Sequence, residues 1–120
     1  FKQRSNIDIE LPGGTGDEEY LVALDQALAA LFAYDRQFYF IHYQSGVDPY
    51  FGDLLGRFRL SEEGLRKRDR RAISAVLEKR IPMVITLGGG YTARPEEVAQ
   101  LHANTVIEAL LAEQQILRRG

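Results

Sequence analysis

The chain has 120 residues, a one-domain length, and its 45% hydrophobic and 27% charged residues are ordinary globular material. A formal net charge of −2 gives no overall pull toward nucleic acid or anionic lipid, so neither is expected as a partner. The absence of cysteine excludes both a disulfide frame and a thiolate zinc site, and it fits a reducing, cytoplasmic compartment.

No apolar run approaches the length of a membrane span, and no signal peptide is visible. The chain opens on Phe1-Lys2 without methionine, which raises the expectation of a trimmed or truncated product. Phe1 to Asn6 reads as polar and frayed. Ile7-Asp8-Ile9-Glu10-Leu11 alternates apolar and polar residues, the pattern of a short strand with one wet face. Pro12 to Gly16 is a turn. Thr15 and Glu18 have capping-box spacing, so a helix is predicted from Asp17 to Phe32, buried along Leu21, Leu24, Leu28 and Leu31. The Gly13–Gly16 loop before this helix could cradle a phosphate, but it lacks the lysine and spacing of a P-loop. A plain loop and cap is the preferred reading.

Phe38-Tyr39-Phe40-Ile41-His42-Tyr43 is dense in aromatic and β-branched residues and reads as a strand buried on both faces, with His42 as a packed core residue. Ser45 to Leu60 is a long, glycine-rich loop, where function tends to reside. Ser61 is a good N-cap for a second helix over residues 62–79, with Leu65, Ala72, Ile73, Val76 and Leu77 inward. Ile81-Pro82 ends it. The run Arg66-Lys67-Arg68-Asp69-Arg70-Arg71 is read as a solvated outer face rather than a nucleic-acid patch, with Asp69 turned inward to a structural bond.

Met83 to Leu87 is a second buried strand, closed by Gly88-Gly89-Gly90-Tyr91. Pro95 starts a third helix, with Glu96 and Glu97 in its first turn. Its apolar side is predicted as Val98, Leu101, Val106, Leu110 and Leu117, with Arg118 and Arg119 at its negative end and His102 a helix-surface or packing residue rather than a ligand.

Alternating strands and helices imply an α/β fold with parallel strands joined by right-handed crossovers. Neighbouring strand ends would lie about 5 Å apart. Asp48 and Tyr91 each follow such an end, where ligands bind in open α/β sheets. Asp48 offers an oxygen to a divalent metal, although catalytic zinc needs about three protein ligands. Tyr91 offers an O–H to a developing oxyanion. Spacing alone leaves a turn-forming aspartate and a tight glycine turn as the alternative.

The ordered motifs are more specific than any one of them. They are Leu11-Pro12-Gly13-Gly14-Thr15-Gly16-Asp17-Glu18-Glu19-Tyr20, then Gly46-Val47-Asp48 with Gly52-Asp53-Leu54-Leu55-Gly56. Leu60-Ser61-Glu62-Glu63-Gly64, Lys67-Arg68-Asp69 and Leu87-Gly88-Gly89-Gly90-Tyr91 follow. Together they resemble the carboxyl-terminal part of the histone deacetylase family, which includes bacterial acetylpolyamine and acetoin-utilisation relatives. The Gly-Val-Asp and Lys-Arg-Asp wording is similar to the class IV branch. The resemblance implies an arginase-like parallel sheet with flanking helices and zinc-dependent hydrolysis of an N-acetyl amide. Asp48 would match an aspartate zinc ligand, and Tyr91 the tyrosine that polarises the acetyl carbonyl. Leu55 would match the rim of the acyl channel, and Gly89 and Gly90 the glycine stretch lining it. The substrate implied is acetyl-lysine, an acetylated polyamine or a small amide.

The family's tandem histidines and Asp-x-His pair have no counterpart here, and His42 and His102 fall at the wrong places to replace them. Leu54 stands where many members have proline. Residues 1–120 are therefore expected to form a single partial domain, a carboxyl-terminal fragment that alone neither holds zinc firmly nor catalyses and that self-associates, for instance through an edge strand. The competing reading is a non-catalytic α/β ligand-binding or interaction module that uses the glycine-rich loops.

Overall fold

The computed structural model describes residues 5–34 and 36–118. Helix α1 (Asp17–Phe32) leads into strand β1 (Ile41–Gly46) and helix α2 (Glu62–Glu78). Strand β2 (Met83–Gly88) and helix α3 (Pro95–Ala112) follow, and a π-helical turn (Glu113–Leu117) closes the described chain. The two strands pair in parallel, with Ile41 opposite Met83 and Gly46 opposite Gly88. The structure is thus α/β, a parallel two-stranded sheet with flanking helices, and α2 is the crossover between its strands.

β1 lies three residues later than the aromatic run predicts. Pro82 has no N–H to lend a ladder, so the pairing begins where the Ile41 amide donates to the Pro82 carbonyl at 2.9 Å. Phe38 to Phe40 stay outside it, and Tyr39 is 77% exposed. The expectation of burial on both faces is also corrected. Tyr43 and Ser45 point to α2 and α3, whereas His42 and Gln44 are exposed on the opposite face. His42 is therefore not a core residue; its ring bonds the Thr86 hydroxyl across the open face at 2.9 Å.

Residues 7–11 form no strand. Ser5 draws the chain into a local turn instead, with its amide and hydroxyl donating to Asp8. The capping box at α1 does not form either. Gly16 is the N-cap, and the Thr15 hydroxyl is taken by the Pro12 carbonyl at 2.6 Å. At α2 the expected cap is present, as Ser61 Oγ accepts from the Gly64 amide at 2.9 Å.

Two apolar clusters hold the layers. Ile73, Ala112 and Ile116 pack with Tyr43, Leu77, Met83 and Ile85 between the helices and one face of the sheet. Val47, Leu60, Leu65 and Leu101 form the second, with Tyr20, Tyr50, Phe58 and Val98 around them. This second cluster underlies the loop at the carboxyl ends of the strands. α3 departs from its predicted apolar side. Val106, Leu110 and Leu117 are exposed, and the buried positions are Leu101, Asn104, Thr105, Glu108 and Ala112. The polar members face α2, where Asn104 donates to Glu62, Thr105 donates to Asp69, and arginines meet Glu108. Arg70 donates to Glu108 at 2.9 Å, and Arg66 approaches it at 3.6 Å. The basic run of α2 is thus only partly a solvated face, and Arg68 within it is buried. Arg118 pairs with Glu113 at 3.8 Å; Arg119 and Phe1 to Arg4 lie outside the described residues.

Candidate active site

β1 and β2 end side by side. The ladder continues one step past Gly46, where the Val47 amide donates to the Gly88 carbonyl at 3.1 Å. Val47 is 1% exposed and anchors the chain in the lower cluster. The next side chain, Asp48, emerges exposed at the strand tip.

A buried ion pair fixes that tip from beneath. Arg68 donates to the Gly46 carbonyl and to Asp69 Oδ1, at 3.0 Å from its Nε. The Asp69 carboxylate also accepts from the Tyr43 and Thr105 hydroxyls, each at 2.6 Å. The Asp69 carboxylate thus has both an opposite charge and hydrogen-bond donors beside it, as a buried ion requires. Burial pushes the Tyr43 phenol up; Arg68 works against that, and the Asp69 charge and hydrogen bond add to it.

On the β2 side the chain turns through Gly89 and Gly90, at φ 69° and 107°. Such dihedrals favour glycine, and space demands it as well. A Cβ on Gly89 would stand 2.2 Å from Asp48 Oδ1, and one on Gly90 would stand 2.5 Å from a Val98 methyl. The Gly90 amide donates to Asp48 Oδ1 at 3.3 Å. Tyr91 follows, 56% exposed.

Asp53, which sequence reasoning left without a role, ties the two loops together. It is 8% exposed. Its Oδ1 accepts from the Leu55 and Gly56 amides at 2.9 and 2.8 Å, and its Oδ2 from the Tyr91 amide at 2.9 Å. The Leu54 amide returns a bond to the Tyr91 carbonyl at 2.8 Å. Burial pushes the Asp53 carboxyl up, but the amides of Tyr91, Leu55 and Gly56 outweigh it and hold it below its ordinary value. The readable signal was the Asp-x-x-Gly spacing, in which an aspartate bonds amides just ahead of it.

Asp48, Pro49, Leu55 and Gly56 line an open groove of about 610 Å³, with Ile9, Leu11 and Phe58 among its other walls. Asp48 and Leu55 thus share a groove, and Leu55 is exposed at its edge. Gly89 and Gly90 touch Asp48 without lining it, and Tyr91 joins through the backbone bonds to Asp53 and Leu54. His42, on the open sheet face, and His102, on α3, are not among the lining residues. Among the described residues, no three His, Cys, Asp or Glu side chains gather closely enough to hold a metal ion, so Asp48 alone does not make a zinc site. The Gly13–Gly16 loop is committed within the fold. Its Gly14 amide donates to the Arg57 carbonyl at 2.7 Å and its Thr15 amide to the Pro12 carbonyl at 3.3 Å, so neither is free for a phosphate.

Residues 2–110 match the model of the histone deacetylase domain. The chain is 33% identical over 102 residues to an uncharacterized protein of Picosynechococcus sp., covering 85% of this chain and 34% of that one. It is 36% identical over 95 residues to histone deacetylase 2 of Arabidopsis thaliana, covering 76% and 24%. A probable deacetylase of Archaeoglobus fulgidus is 32% identical over 108 residues, covering 88% and 29%. The chain thus matches between about a quarter and a third of the length of these relatives.

Proposed function

The chain belongs to the histone deacetylase family, and on that premise we propose that it is the carboxyl-terminal part of a zinc-dependent amidohydrolase. The enzyme removes acetyl groups from acetyl-lysine, an acetylated polyamine or a related small amide. The observation that carries this reading is the meeting of two strand tips, where the exposed Asp48 carboxylate bonds the amide one residue before Tyr91.

In this reading Asp48 is one ligand of the zinc ion, which supplies Lewis acidity when bound. The other ligands come from outside this chain. The Tyr91 phenol donates to the oxygen of the acetyl carbonyl as negative charge gathers there. Leu55 forms the apolar rim of the acyl channel, and Gly89 and Gly90 let the substrate pass close to the backbone. A cytoplasmic location, inactivity of the 120-residue chain by itself and its self-association belong to the same proposal.

The test is hydrolysis of acetyl-lysine peptides and acetylated polyamines by the zinc-loaded full-length protein that carries this chain. Turnover should fall by at least about a hundredfold in Tyr91→Phe and Asp48→Asn. A full-length protein that cleaves no N-acetyl amide overturns the reading.

A further inference from the structure

We propose that Asp53 is the positioning residue for Tyr91, a latch that fixes the backbone from which the phenol projects. The proposal rests on the hydrolase reading above and adds a residue to it. Its basis is the division of labour within one buried carboxylate. Oδ1 closes the turn that carries Leu55, through the Leu55 and Gly56 amides. Oδ2 reaches across to the other loop and takes the Tyr91 amide. The Leu54 amide then holds the Tyr91 carbonyl, so both polar groups of the Tyr91 backbone are tied to two consecutive residues. The need for such a tie is local. Tyr91 is exposed, and the two residues before it are glycines at positive φ, so its own strand gives it little support. A hydrogen-bond donor to a transition state acts only when it is held in place beforehand, and small displacements cost large factors in rate.

Asp53→Asn separates the two functions. It keeps one oxygen for the Leu55–Gly56 turn and presents an NH2 group to the Tyr91 N–H, so the latch opens while the turn survives. In the full-length protein we expect kcat to fall about tenfold or more, with KM within about twofold. In a Tyr91→Phe background the same substitution should lower kcat by less than about twofold, because the group it positions is already gone. Amide exchange at Tyr91 should accelerate, with exchange in α2 and α3 unchanged. Asp53→Ser serves if the asparagine variant does not fold.

An unchanged kcat in the single variant, or an undiminished loss in the Tyr91→Phe background, overturns the latch. If the wild-type protein cleaves no N-acetyl amide, the hydrolase reading fails. The exchange measurement then still decides the tie, which unchanged exchange at Tyr91 would sink.

Discussion

The carboxylate of Asp17 occupies the space that a Cβ on Gly64 would need, with its Oδ1 2.1 Å from that position. The same carboxylate accepts from the Ser61 amide at 2.8 Å and from the Ser61 hydroxyl, which in turn caps the Gly64 amide. One acid at the start of α1 thus locks the positive end of α2. In an ordinary helix, alanine for glycine gains about 0.5–1 kcal/mol. Here we expect the opposite sign, with Gly64→Ala costing about 1–3 kcal/mol in urea unfolding. A stabilised variant would show that Asp17 moves aside freely.

Tyr43→Phe removes one of the two hydroxyls that satisfy the buried Asp69 carboxylate and leaves Thr105 and Arg68 to hold it. Leaving such an acceptor partly unsatisfied costs about 1–3 kcal/mol. The expected readout is a lower urea midpoint with an unchanged slope. A midpoint equal to wild type would mean that the Tyr43 bond contributes no net stability.

Asp53 should make stability depend on acid. Its folded pKa lies below the unfolded value of 3.8, so the folded state favours the ionised form. That contribution is fully present above the unfolded value and is lost as pH falls through the folded one. The stability gap between wild type and Asp53→Asn should therefore be constant near neutral pH and narrow under acid. Denaturant melts from pH 7 down to about 3 measure it. A gap that widens in acid would contradict the sign.

Adjacent glycines should differ. A Cβ on Gly88 meets nothing within 4 Å, whereas on Gly89, at φ 69°, it meets the Asp48 carboxylate. Gly88→Ala is expected to change stability by no more than about 0.5 kcal/mol and Gly89→Ala to cost about 1–3 kcal/mol. Equal thermal shifts for the two would remove the case for close packing of Gly89 on Asp48.

The 120-residue chain is expected to bind zinc weakly, because Asp48 is one ligand where about three are required. Calorimetric titration giving tight one-to-one binding would refute this. The exposed apolar side chains Val106, Leu110 and Val84 lead us to expect association of the chain with itself. A clean monomer in light scattering counts against that.

From Asp17 onward, the order of helices and strands, the parallel pairing, the cap at Ser61, the inward turn of Asp69 and the placement of Asp48 and Tyr91 after strand ends followed from local pattern alone, whereas the strand expected at residues 7–11 did not form. Periodicity and turn chemistry act over a few residues, and so does the information they carry. Long-range partners decided the rest. β1 began at Ile41 because Pro82 set where pairing could start. α3 buried Thr105 and Glu108 because α2 offered them Asp69 and arginines. Asp53 became the tie between two loops because folding brought the Tyr91 amide, 38 residues away, within its reach. No periodicity encodes a bond of that span, since its donor and acceptor meet only when the strands align.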